Sequence, residues 1–169
     1  PPSSSAAQPQ FFSENNVLEG QGAVNIIFLK SDGSDARLLL DKKGFIVSAD
    51  IPYERDTGQK FNVFRIVFQD TDGDGRLTGS DRSDLHVSEI SGKELRRVTD
   101  EKLRVTRYVK SNPDGKVVFL AKVPSSDAKT PESDWPERIF SFDVRTNQVT
   151  PFLADEALLK KAQELLWKR

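Results

Sequence analysis

Apolar runs separated by clusters of Gly, Asp, Asn, Ser and Pro fill the middle of the chain, and their spacing predicts ten β-strands: 24–30, 37–40, 45–49, 61–69, 84–90, 94–99, 103–110, 117–123, 138–144 and 148–152. Parallel neighbours need long crossovers, usually helical, and no connection between these strands reads as a helix. An antiparallel meander is therefore expected. In 138–144, Phe140, Phe142 and Val144 point one way and Ser141 and Asp143 the other. The segment 61–68 differs. Phe64, Ile66 and Phe68 share one face, while Phe61, Val63 and Val67 share the opposite one. A strand that is apolar on both faces requires cover on both sides, so sheet is expected to stack on sheet, as in a sandwich or in adjoining propeller blades.

The ends follow other rules. Residues 1–20 open with a Pro/Ser/Ala/Gln-rich stretch that cannot bury apolar surface and read as a flexible tether; 21–153 form the β domain. Residues 154–169 predict an amphipathic helix. Asp155 and Glu156 sit at its start and Lys168 and Arg169 at its end, with an apolar stripe of Leu158, Ala162, Leu165 and Leu166. That stripe, with Trp167, is expected to pack on the parent sheet rather than in a partner's groove.

Composition narrows the chemistry. Among 169 residues, with a formal net charge of −1, there is no cysteine and one histidine, His86. Disulfides, thiol catalysis, thiolate metal sites and multi-histidine centres are excluded. Near-neutral charge argues against a nucleic-acid binder working through bulk electrostatics. Eleven phenylalanines are too many for a disordered chain. No apolar run reaches the ~20 residues of a membrane helix, so no membrane span is expected. The absence of methionine reads as processing or as excision from a longer protein. The tether fits a linker downstream of a removed export signal, and equally an arbitrary boundary.

Three segments, 24–40, 84–99 and 138–152, each hold a strand, a tight turn and a second strand, at intervals of roughly 55 to 60 residues. The sequences KSNPDGKVVFLAKV, DLHVSEISGKELRRVT and RIFSFDVRTNQVTPF carry a pattern that resembles the TolB-type beta-propeller repeat. The likeness covers roughly 61–152 well and 24–49 loosely. It implies an incomplete propeller of about two and a half blades, against ~4 to 8 in closed forms. It also implies protein partners in the cell envelope and a periplasmic or extracellular location. The expected fold is thus all-β, an antiparallel meander of stacked propeller-like blades with one C-terminal α-helix.

One motif carries chemistry. Asp70-Thr-Asp72-Gly-Asp74-Gly75-Arg76 continues to Asp81, giving D-x-D-x-D-G with an acid at loop position 12. Calcium takes six to eight oxygens; alternating carboxylates at positions 1, 3 and 5, a glycine at 6, a backbone carbonyl at 7 and an acid at 12 supply such a shell. The expected ligands of a structural Ca²⁺ are Asp70, Asp72, Asp74, the carbonyl of Arg76, and Asp81. The loop resembles EF-hand and dockerin calcium loops, dockerin more closely because it ends in Asp. It departs from both in being flanked by strands, which predicts a static hairpin loop rather than a sensor. The competing reading is an ordinary Asp/Gly turn.

Other features read as structural. His86 is expected to be an exposed strand histidine, and no hydrolase serine motif accompanies it. Arg96, Arg97, Lys102, Arg104, Arg107 and Lys110 read as a solvated face. Arg104, Thr106, Tyr108 and Lys110 are expected on one side of their strand, with Leu103, Val105 and Val109 on the other. Trp135 is expected to cap the core rather than anchor a partner. No catalytic residue is assigned. The expected function is a non-enzymatic, calcium-stabilised binding or scaffold module; the alternative is an accessory or substrate-binding domain of a secreted hydrolase acting on peptide or carbohydrate.

Overall fold

The computed structural model describes residues 17–18, 22–30, 32–52, 60–112 and 115–152, with 17–18 and 110–112 described through their backbone. Eleven strands appear among them, in chain order: β1 (Val17–Leu18), β2 (Ile27–Phe28), β3 (Arg37–Leu38), β4 (Phe45–Asp50), β5 (Phe61–Val67), β6 (Asp84–Glu89), β7 (Arg96–Arg97), β8 (Arg104–Asn112), β9 (Lys116–Lys122), β10 (Glu137–Asp143) and β11 (Gln148–Pro151). They form a five-stranded sheet ordered β1-β4-β5-β6-β7, a four-stranded sheet ordered β11-β10-β9-β8, and the β2–β3 hairpin. All pairings are antiparallel. The described chain is therefore all-β, with a single 3₁₀ turn at Glu132–Asp134.

Each of the ten expected strands is present, most of them shorter. β2 shrinks most, because at the open end of the β2–β3 hairpin a side chain takes over from the backbone. The Asn25 amide donates to the Leu40 carbonyl at 2.9 Å and accepts from the Leu40 N–H at 3.0 Å, as a strand peptide would. The eleventh strand, β1, lies inside the stretch expected as a tether, with Val17 opposite Asp50 and Leu18 opposite Ala49. The rest of residues 1–20 and the expected helix 154–169 lie outside the described residues.

β5 divides the protein's interior in two. Six of its seven residues are buried, Arg65 being the exception. Phe61 and Val63 pack with Leu85, Val105, Phe119 and Phe142 between the five- and four-stranded sheets. Phe64 and Ile66 pack on the other side with Ile26, Leu39, Leu40, Ile46 and Ala49, under the β2–β3 hairpin. Sheet stacked on sheet is thus what the two apolar faces of this strand required. Arg65 survives at the edge of the first core by donating from Nε and Nη2 to Ser83 Oγ at 3.1 and 2.8 Å, and burial pulls its pKa down.

The face assignment of β8 needs correction. Val105 is buried, Tyr108 packs on the core and Val109 is 52% exposed. The cause is a bulge. Val105 pairs with Ala121 and Arg107 with Leu120, leaving Thr106 as the extra residue, so the in/out alternation inverts beyond it. β8 is an edge of its sheet, where such a twist blunts pairing with another chain. The basic residues nearby are largely used internally. Arg96 donates to the Val144 carbonyl at 2.8 Å, and Arg104 pairs with Glu132. Trp135 is half-buried and its indole N–H donates to the Thr130 carbonyl at 3.2 Å, closing its own loop.

Candidate metal centre

The loop 68–83 joins β5 to β6, so strands flank it on both sides. Its aspartates build its shape before any ion is considered. The Asp70 carboxylate accepts from the N–H of Gly73 and of Gly75, both at 2.7 Å. Asp72 accepts from Asp74 N–H at 3.2 Å, and Asp74 from Arg76 N–H at 2.8 Å. These short-range carboxylate bonds curl the chain in successive turns. Gly73 and Gly75 lie at φ +78° and +82° with open space where a Cβ would stand, so conformation rather than crowding calls for glycine there.

The curl brings one carboxylate oxygen each of Asp70, Asp72 and Asp74 within 4.8 Å of one another, all exposed. Asp81 is placed differently. It is 3% exposed and its two oxygens are occupied by the loop itself. Oδ1 accepts from the Thr71 N–H (2.6 Å) and hydroxyl (3.2 Å) and from Asp72 N–H (3.3 Å), while Oδ2 accepts from Thr78 N–H at 2.8 Å. Of the expected ligands, then, the structure gathers three carboxylates. It uses the fourth as the internal tie of the loop, and places Arg76 in the loop through its N–H bond to Asp74.

Electrostatics separate the two roles. Hydrogen bonds from Thr71 and Thr78 hold the Asp81 carboxyl below the usual carboxylate range. Asp72 goes the other way. The bond from Asp74 N–H pulls it down, but desolvation and the negative charges of Asp74, Asp81 and Asp70 together push it up. A group of like charges that raises its own pKa gains most from a cation, which would reverse that shift.

His86, expected on an exposed face, is 5% exposed. It stands opposite Phe64, on the face of the five-stranded sheet that turns toward the second core, and meets the Phe68 ring edge-on at 5.5 Å. Its Nδ1 lies 3.2 Å from the Asp84 carbonyl. Burial pulls its pKa below the ordinary histidine value, helped by the positive charges of Arg97 and Lys42 and opposed by Asp84. The unfolded chain therefore takes up a proton at a pH where the folded chain does not. Stability is expected to fall as pH drops below about 6.5, with a slope of at most about 1.4 kcal/mol per pH unit. His86→Gln should flatten that part of a denaturation-versus-pH profile, and an unchanged slope would refute the assignment.

Two hollows of about 600 and 410 Å³ meet over His86, sharing Lys42, Phe68 and Arg97 as walls. Sequence reading placed none of these in a site, since they come from separate segments. Only the matching parity of His86 and Phe64 across β6 and β5 could have hinted at it. No protein-family model, curated protein or solved structure matches this chain.

Proposed function

We propose that this chain is a non-enzymatic binding or scaffold module of the cell envelope whose longest hairpin loop is stabilised by calcium. The observation that carries the ion reading is the convergence of Asp70, Asp72 and Asp74, each with an exposed oxygen, in a loop already held by Asp81. Calcium suits such a site better than magnesium, because it accepts many oxygens in flexible geometry. A five-stranded sheet in which β4–β7 are consecutive in sequence and in space, and the four-stranded sheet β8–β11 stacked on it through one core, together with the lone β2–β3 hairpin, support the propeller-like reading. The resemblance to TolB-type repeats supports the envelope location and protein partners. Among the described residues no helix is long and apolar enough to cross a membrane.

Thermal melting tests the ion. An ion at 100 times its Kd adds about 2.7 kcal/mol, or roughly 5–10 °C for a domain of this size. Millimolar calcium should raise the melting temperature and a chelator lower it, while Asp74→Ala should lose the response and keep its far-ultraviolet strand signature. Identical melting in calcium and chelator would end the ion reading. Affinity should weaken as pH falls, since the raised pKa of Asp72 lets protons compete with the ion for that carboxylate.

A further inference from the structure

The groove over His86 has the chemistry of a recognition site. Its floor offers one unused acceptor. The Asp84 carbonyl can only accept, so Nδ1 carries the proton of the neutral ring and Nε2 keeps a lone pair. No described residue bonds to that nitrogen. Above it, the first hollow is rimmed by cations unequally matched. Arg97 is neutralised by Asp84 at 2.9 Å and touches Glu101 at 3.5 Å. Arg82 donates instead to the backbone carbonyls of Glu101 and Leu103 and has no ion pair among the described residues. Lys42 lies 4.3 Å from the centre of the Phe68 ring, a cation–π contact that leaves its charge unpaired among the described residues. The second hollow is lined by Leu38, which is 59% exposed, Leu39, Leu40 and Leu95, with Asp41 and Glu94 also on its wall, so the excess of positive charge is confined to the first hollow.

We infer that this groove binds an extended acidic peptide segment. The acceptor at Nε2 suits a backbone N–H, and the Lys42–Arg82 rim suits a side-chain carboxylate close to that N–H. An acidic residue within a chain supplies both groups, whereas a free inorganic anion supplies the charge without the donor. In an extended peptide, residues two apart face the same way about 7 Å from each other. A Glu over the first hollow therefore places an apolar residue two positions on over the leucines of the second. This deepens the proposed binding role and rests on that reading, while being independent of whether the Asp70–Asp74 loop holds calcium.

The test is a titration of the full chain, followed by ¹H–¹⁵N spectra, with a blocked pentapeptide carrying Glu second and Leu fourth among glycines. Saturable shifts are expected at the amides of Gln69, Thr71, His86 and Leu95. Replacing the peptide's Glu by Gln, or Lys42→Ala in the protein, should weaken binding about tenfold, the order of one charge-assisted bond. Lys43→Ala, a change at an exposed neighbour that does not line the groove, should leave it unchanged. No saturable shift at millimolar peptide, equal binding of the Glu and Gln peptides, or the same shifts with inorganic phosphate alone would each overturn the inference. Calcium-dependent melting of the same samples is a separate readout, so failure of the groove and failure of the ion site give different patterns.

Discussion

Phe119→Ala is expected to lower the free energy of unfolding by about 3–5 kcal/mol, measured by urea denaturation. Phe119 is fully buried in the middle of β9, stacked on Phe140 with ring centres 5.4 Å apart and packed into the core that joins the two larger sheets. Backbone pairing on both sides of β9 keeps the strands from collapsing into the space left behind. That is the condition under which a truncation costs most. Phe64→Ala should cost a similar amount from the other core. The two residues share no buried core partner, because they occupy opposite sides of the β5 layer. Milder Phe→Leu changes at both positions should therefore add to within about 0.5 kcal/mol. A coupling well above that would mean the two cores act as one, contradicting the division made by β5.

Gly92→Ala is expected to destabilise by about 2–5 kcal/mol, from positive-φ strain of about 1–2 kcal/mol and overpacking of about 1–3 kcal/mol. Gly92 lies at φ +78° in the turn between β6 and β7, and a Cβ there would stand 2.4 Å from Cδ2 of Phe28. The Phe28 ring packs against the second core and cannot swing aside freely. Two effects thus act at one position, and a second substitution separates them. Phe28→Leu should recover part of the loss in the Gly92→Ala background, whereas strain at φ should remain. Absence of any recovery would show that the hairpin β2–β3 does not press on this turn.

The strand pattern was legible because alternation is local. Phe140 and Phe142 face the core, and the two apolar faces of 61–68 announce two cores, for a reason carried by consecutive residues. The acidic loop was legible for the same reason. Bonds from Asp70 to Gly73 and Gly75 span at most five positions, so motif and geometry coincide. Asp81 was harder. Its position twelve in the loop is compatible with closing an ion shell or tying the backbone, and only the folded structure shows its bonds to Thr71 and Thr78. The bulge at Thr106 was hidden because one unpaired residue changes every face beyond it without altering composition.

Spacing and residue type by themselves determined an all-β antiparallel chain, the places of its strands and turns, and a loop of carboxylates that converge. Tertiary structure alone decided the burial of His86, the inversion of faces along β8, and the groove where Lys42, Phe68, Arg82 and Arg97 meet. The first set depends on forces between residues a few positions apart, which the order of the chain encodes directly. The second depends on which segments lie against each other once sheets stack, and residues from the β3–β4 connection, the β5–β6 loop and strand β7 can share a wall without leaving any periodic trace in the sequence.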